Sequence, residues 1–182
     1  MPAKKISIER AKQDKLFYFV ANVVVYRPSD GRCLILKRSE KEKVHPGRWC
    51  AIGGKLEWGD MDISRPTRLN GDVLDFENAV ERLLAREAKE EAGIEIEQGL
   101  SYLNSVAFVR PDEVPVVLVK FAARYKNGDV VVEKDAFADC AWVNNEEAQR
   151  YPCIDGITEE IAKTIELFNR NQNLHKGKRM NM

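Results

Sequence analysis

Three glutamates, Glu87, Glu90 and Glu91, fall within about one helical turn of the segment REAKEEAGI, residues 86–94. At about 100° per residue they continue the apolar stripe of a predicted helix, so their carboxylates lie in line with its buried face. Carboxylates this close repel, and each raises the pKa of the others unless they share a cation. Mg²⁺ binds a few carboxylates and completes its shell with water and substrate phosphates. The spacing therefore indicates a divalent-cation site, although glutamates at this spacing more often form a solvated helix face.

The helix that carries these glutamates is predicted to cover residues 76–92, with Asp75 as its N-cap and Gly93 as the residue that ends it. A second flank of small residues could also face the core, which would leave the glutamates at the edge of the interior. This flank consists of Ala85, Ala88 and Ala92.

Strands are predicted on both sides of this helix along the chain, and two further helices are predicted near the C-terminus. A turn at residues 126–128 is expected to join two of these strands as a hairpin, and residues 61–75 are predicted to form an irregular loop. Helices on either side of a mixed sheet are the economical arrangement for such an order. The predicted strands are residues 16–26, 32–38, 48–54, 100–110, 114–125, 129–134 and 140–144, and the helices are 145–151 and 155–172.

Composition excludes several classes of protein. Lys plus Arg equals Asp plus Glu at 29 each, so there is no net charge to attract nucleic acid or an anionic membrane. No apolar run approaches the roughly 18 residues that span a bilayer, and the N-terminus does not resemble a signal peptide. The four cysteines lack CxxC spacing, which favours reduced thiols over a zinc site and indicates a cytoplasmic protein.

The length of 182 residues fits one domain with short extensions. We expect a single domain over residues 16–172, with an insertion at residues 61–75. Residues 1–15 are expected to form an N-terminal extension, and residues 173–182 a flexible basic tail.

The segments GGKLEWGD, residues 53–60, and REAKEEAGI together resemble the signature of the Nudix hydrolases. With Gly54 as its first glycine, Asp60 occupies a position where the family has Glu, and residues 86–94 fit the second half. The spacer between the two halves, residues 61–85, is much longer than in the family. The lead-in LILKRS…HPGRWCAIGGKLE and the later segment from Trp142 are also similar to the family.

This resemblance implies an α/β fold, a Nudix-type α/β/α sandwich with a mixed β-sheet. It also implies Mg²⁺- or Mn²⁺-dependent hydrolysis of the pyrophosphate linkage in a nucleoside diphosphate derivative. A (d)NTP is the first candidate substrate, and ADP-ribose or a nucleotide sugar is the alternative. The alternative from another class is a non-catalytic nucleotide-binding sensor. The oligomeric state stays open, with a homodimer as one alternative.

The resemblance also assigns roles to residues. Glu87, Glu90 and Glu91 resemble the metal-binding carboxylates, the carbonyl of Gly53 resembles a further ligand, and Arg86 resembles the residue that holds the glutamates by ion pairing. Glu87 or Glu90 could be the general base, or a later loop could supply it.

Several further residues are weaker candidates for the same site. Lys37 and Arg38 could contact phosphates, although a solvated strand edge is an equal alternative. Asp60 is one methylene shorter than the family's Glu, so an ordinary turn residue is an equal alternative there. The additional candidates for a metal ligand or general base are Glu57, Asp60, Glu133 and Asp135.

Overall fold

The computed structural model describes residues 1–179, with side-chain positions for residues 1–170. Strands and helices follow in an order close to the predicted one. The strands are β1 (Tyr18–Arg27), β2 (Arg32–Arg38), β3 (Trp49–Cys50), β4 (Ile52–Lys55), β5 (Arg68–Asn70), β6 (Val73–Asp75), β7 (Glu95–Ile96), β8 (Ser101–Val109), β9 (Pro115–Asn127) and β10 (Phe137–Val143). The helices are α1 (Ala79–Ala92), α2 (Asn145–Ala148) and α3 (Ile157–Arg179).

Eight of the strands form one mixed sheet. Its central order is β10, β2, β1, β9 and β7, with β3 paired to β2, β4 to β1, and β8 to β9. The central pair, β1 and β9, runs parallel, whereas the strand pairs around it are antiparallel.

Side chains alternate between the two faces of the sheet along each strand, so both faces carry apolar residues. A helix covers each of these faces. On one face Val23 and Leu36 pack with Leu84 of α1, and on the other face Val24 packs with Ile161 of α3. The result is an α/β/α sandwich, and the predicted fold class is confirmed.

Helix α1 ends as predicted but begins later than predicted. Gly93 ends it in the left-handed region at φ 70°, a conformation that glycine adopts without strain. The predicted N-cap, Asp75, is wrong, because Asp75 is the last residue of β6 and its carboxylate binds Arg68. The helix starts at Ala79 after Asn78, which has φ 56°. Ala88 and Ala92 face the core as expected, while Ala85 is exposed.

The insertion is more regular than its sequence indicated. Strands β5 and β6 form a two-stranded hairpin that belongs to no larger sheet. The prediction of an irregular loop is therefore wrong for residues 68–75. Arg68 binds Asp75 at 2.8 Å and Glu77 at 3.1 Å, and Thr67 Oγ1 donates to the Asp75 carbonyl, so these contacts hold the hairpin together.

The strand predicted at residues 129–134 is also wrong. Its expected place beside β9 is taken by β7, because Glu95 is opposite Asn127. The segment instead crosses the C-terminal end of α1. There the Val131 N–H donates to the Ala92 carbonyl and the Glu133 N–H to the Glu91 carbonyl, both at 3.0 Å.

The C-terminal helix is longer than predicted. Helix α3 continues to Arg179, so most of the expected flexible tail, residues 173–182, has a helical backbone. Residues 180–182 of that tail lie outside the described residues. No helix of the described chain combines the length and apolar character that crossing a membrane requires. The division into one domain with extensions stays a prediction.

The packing of α1 against the sheet predicts that two leucines contribute very differently to the free energy of unfolding. Leu84 is fully buried in α1, whereas Leu69 in the hairpin is 57% exposed. We expect Leu84→Ala to lower the free energy of unfolding by about 2–5 kcal/mol, because it leaves a cavity in the core. Leu69→Ala, the matched control, should change it by less than about 0.5 kcal/mol. Urea denaturation of both variants measures the difference, and equal effects would contradict this account of the core.

Candidate functional site

Arg86 lies at the centre of an ion-pair network on α1. Its Nη1 lies 3.0 Å from Glu87 Oε1 and 2.8 Å from Glu90 Oε2, and its Nε lies 3.4 Å from Asp60 Oδ1. Glu90 is one turn beyond Arg86 on the helix, a spacing at which side chains meet. One guanidinium therefore holds two of the three predicted carboxylates together with Asp60.

Strand β4 approaches α1 closely at Gly54. An added Cβ there would overlap the Glu87 carboxyl group and lie 2.9 Å from its Cγ. Glu87 is largely buried by this contact, with 13% of its side chain exposed. Burial, opposed by the Arg86 charge, raises the pKa of Glu87 above its ordinary value. Any side chain at position 54 would therefore displace the Glu87 carboxylate from the strand.

Gly53 makes the second contact between β4 and the helix. Its N–H donates a hydrogen bond to Glu91 Oε2 at 3.1 Å. The pKa of Glu91 is raised to about 8, mainly by burial and to a smaller extent by the charges of Glu87 and Glu133, while the hydrogen bond from Gly53 opposes the shift. Glu91 is therefore a carboxyl group held in a crowded, negatively charged position.

The segment after β9 brings one predicted residue to the site and leaves another outside it. Glu133 adjoins Glu91, because its backbone N–H binds the Glu91 carbonyl and its charge acts on the Glu91 carboxyl. Asp135 is exposed in the turn before β10 and has no hydrogen bond or ion pair within the described residues. Of these two candidates, the structure brings only Glu133 to the glutamate cluster.

Lys37 and Arg38 are separated by the alternation of β2. Arg38 follows Leu36 on the α1 face, and its charge acts on Glu91. Lys37 lies on the opposite face, with its ammonium 3.9 Å from Glu40. The two side chains therefore cannot bind one phosphate group together, and only Arg38 belongs to the site. Its guanidinium also binds Glu42 and the Val44 carbonyl, which fixes the loop before β3.

Asp60 lies in the site, and Glu57 supports it through the backbone. The turn Trp58–Asp60 follows β4, and Asp60 Oδ2 accepts the Glu57 N–H at 2.8 Å. With its other oxygen, Asp60 faces Arg86. The shorter side chain at position 60 therefore reaches the arginine, while the exposed Glu57 side chain has no ion pair within the described residues.

The donor set fits a hard divalent cation. Among residues 1–170, no three carboxylates already converge as a cation cage. Glu87 and Glu90 share Arg86, and Glu91 is turned to Gly53, so side-chain rotation on one helix face would be needed to reach a common cation. Oxygen ligands are those that Mg²⁺ and Mn²⁺ prefer. Burial, the main cause of the raised pKa values of Glu87 and Glu91, disfavours their charged forms, and a bound cation would offset that cost.

Sequence reasoning missed a depression between α2 and α3. Its volume is about 370 Å³, and the segment between α2 and α3 forms most of its wall. No sequence motif marks the depression, because it forms only when Trp49 pairs with Cys153 across 104 residues. Its lining includes Arg48, Gln149, Tyr151, Cys153 and Asp155.

Solved structures of MutT and Nudix proteins share this fold. A MutT NUDIX hydrolase from Burkholderia pseudomallei is 23% identical, with a TM-score of 0.56 over 84% of this chain and 98% of that chain. A MutT protein from Methanosarcina mazei Go1 is 22% identical, with a TM-score of 0.58 over 88% and 99%. The NUDIX domain of Shewanella oneidensis NrtR, complexed with ADP ribose, is 16% identical, with a TM-score of 0.60 over 85% and 90%.

No protein-family model matches the sequence, and no curated protein matches it either. At these identities the structural likeness establishes the fold. The chain therefore has the fold of the MutT/Nudix hydrolases, as the signature predicted.

The contact between β4 and Glu87 predicts that adding a single methyl group at position 54 lowers the stability of the protein. Gly54→Ala should displace the Glu87 carboxylate, because the new Cβ overlaps it. We expect the free energy of unfolding to fall by about 1–3 kcal/mol. Gly59→Ala is the matched control, since a Cβ there meets nothing within 4 Å. Thermal denaturation measures the stability of both variants. A Gly54→Ala protein as stable as the wild type would contradict the close approach of β4 to Glu87.

The pKa of Glu91 predicts how stability depends on pH in the metal-free protein. Its folded pKa of about 8 exceeds the ordinary value of 4.5, so the folded state binds the extra proton between these pH values. The free energy of unfolding should therefore fall as pH rises through this window. Glu91→Gln should reduce that fall, and Asp135→Asn should leave it unchanged. Urea titrations from pH 5 to pH 8 test this, and parallel curves for wild type and Glu91→Gln would contradict it.

Proposed function

We propose that this protein is a divalent-metal-dependent hydrolase that cleaves the pyrophosphate linkage of a nucleoside diphosphate derivative. The observation that carries the proposal is the contact of β4 with α1, which packs Gly53 and Gly54 against Glu91 and Glu87. The fold shared with Nudix hydrolases supports the same reaction class.

The residues have distinct roles in this proposal. Glu87, Glu90 and Glu91, with the carbonyl of Gly53, would hold Mg²⁺ or Mn²⁺. When bound, the metal would neutralise the diphosphate and lower the pKa of a bound water. Arg86 orients Glu87 and Glu90 through its ion pairs.

Glu133 is our candidate for the general base, the group that removes a proton from the attacking water. Its segment is anchored to the helix end by the hydrogen bond to the Glu91 carbonyl. Its side chain is exposed, so a water molecule can reach it. Glu87 and Glu90, the alternatives on the helix, are both engaged by Arg86.

The depression between α2 and α3 is our candidate for part of the substrate site. Arg48 in its wall lies 3.6 Å from Asp155, which places one positive and one negative group at the same opening. Arg38 on the α1 face adds a positive charge beside Glu91. Arg48 in the depression and Arg38 near Glu91 are the two candidate phosphate contacts in this proposal.

A (d)NTP is the first candidate substrate, and ADP-ribose is the second. The second is favoured by the NrtR NUDIX domain, a structural neighbour complexed with ADP ribose. A non-catalytic nucleotide sensor is the alternative from another class. The three clustered carboxylates favour an enzyme, because nucleotide binding alone does not require them. The cytoplasmic location and a homodimer stay proposals from the sequence.

A substrate screen tests the proposed function. The purified protein is incubated with (d)NTPs, ADP-ribose and nucleotide sugars in the presence of MgCl₂ or MnCl₂, and the products are identified by mass spectrometry. Cleavage of a pyrophosphate linkage that stops with EDTA supports a hydrolase. Nucleotide binding without any product would support the sensor instead.

Variants of the carboxylates separate their roles. Glu91→Gln and Glu133→Gln should each lower kcat by about 10²–10⁴-fold, the usual range for loss of a proton acceptor or its activated water. Asp135→Asn, an exposed acid nearby in the chain, should have little effect. Steady-state kinetics with the substrate found in the screen measure these changes. Near wild-type turnover in both Glu90→Gln and Glu91→Gln would contradict the metal site, and near wild-type turnover in Glu133→Gln would exclude it as the base.

A further inference from the structure

A row of polar residues crosses the sheet on the face opposite the glutamates. Asn22 of β1 is opposite Gly53 of β4, Lys120 of β9 is beside Asn22, and Asn104 of β8 is opposite Lys120. Residues directly opposite each other share a face, so the side chains of Asn22, Lys120 and Asn104 all point towards α3. This row has no part in the proposed chemistry, yet it begins at Gly53.

Asn22 closes the α3 side of Gly53. A Cβ added to Gly53 would overlap the Asn22 Oδ1 and lie 2.5 Å from the Ala21 carbonyl oxygen. The Asn22 amide therefore packs directly on the Cα of Gly53. On the other side of the strand, the Gly53 N–H binds Glu91. The Gly53 peptide is thus enclosed between the Asn22 side chain and the Glu91 carboxylate.

Next to Asn22, a buried ion pair joins the sheet to α3. Lys120 Nζ binds Glu160 Oε1, and only 13% and 2% of these side chains are exposed. Gly156 allows this approach, because a Cβ there would lie 3.2 Å from Glu160 Oε1 and 3.5 Å from Lys120 Nζ. A buried pair fixes the relative position of its two elements, since breaking it leaves an uncompensated charge. Lys120, the neighbour of Asn22 on β9, is therefore tied to α3.

We propose that Asn22, flanked by the Lys120–Glu160 pair, is a positioning residue for the Gly53 peptide. The Asn22 amide prevents the peptide from rotating away from Glu91, so the Gly53 N–H stays on that carboxylate and the Gly53 carbonyl keeps one orientation. The inference deepens the proposed function, because it assigns the support of one proposed metal ligand to the opposite face of the sheet.

Amide hydrogen exchange of Gly53 tests the proposal without relying on activity. In the metal-free, full-length protein, Asn22→Ala should speed exchange of the Gly53 amide by roughly tenfold, about the loss of one hydrogen bond. Asn22→Asp keeps the Oδ1 atom and should restore the slow exchange. Asn104→Ala is the matched control, because Asn104 lies in the same row and on the same face but at β8. The exchange of amides in β2 should be equal in all variants.

Binding of Mn²⁺ alone, measured by calorimetry, gives a second readout. We expect Asn22→Ala to weaken it severalfold while Asn104→Ala does not. The proposal is overturned if Gly53 exchanges at the wild-type rate in folded Asn22→Ala, or if Asn104→Ala has the same effect on it.

The double variant Lys120→Met/Glu160→Leu keeps the test decisive if Asn22→Ala does not fold. Replacing a buried ion pair with apolar residues is often neutral for stability, so this variant should fold and still exchange the Gly53 amide faster. Wild-type exchange there would overturn the role of the pair. If Gly53 depends on Asn22 but no substrate is cleaved in the screen, the proposed function fails and the positioning role stands.

Discussion

The contact between the two glycines of β4 and the carboxylates of α1 determines how the rest of the site is arranged. Gly54 leaves room for Glu87 against the strand, and Gly53 donates its N–H to Glu91. A Cβ at Gly54 would overlap the Glu87 carboxyl group, whereas a Cβ at Gly53 would meet Asn22 on the opposite face of the sheet. Because β4 is bonded to β1 at the centre of the sheet, this position is fixed by the main core.

The cost of this arrangement is concentrated negative charge in a partly buried place. Burial raises the pKa of both Glu87 and Glu91, and Glu133 adds a further charge beside Glu91. Arg86 offsets part of the repulsion by binding Glu87, Glu90 and Asp60. Such concentrations of perturbed carboxyl groups are typical of functional sites, because packing alone would favour apolar residues there.

The long insertion forms its own two-stranded hairpin and adds no strand to the main sheet. Its strands pair only with each other, and Arg68 binds Asp75 and Glu77 within the same segment. Long surface insertions add little loop-closure free energy. The two halves of the signature can therefore meet although the chain between them is extended.

The sequence by itself determined the helix of α1, its end at Gly93, the main strands and the residues of the signature. Those features follow from local periodicity and from glycine's freedom at positive φ, which neighbouring residues encode. Only the tertiary structure decided the contacts between distant segments. It placed Glu133 at Glu91 and left Asp135 outside, and it put Lys37 and Arg38 on opposite faces. The wrong prediction of a strand at residues 129–134 has the same cause. Strand pairing depends on which segment occupies the edge of the sheet, and β7 occupies the edge beside β9.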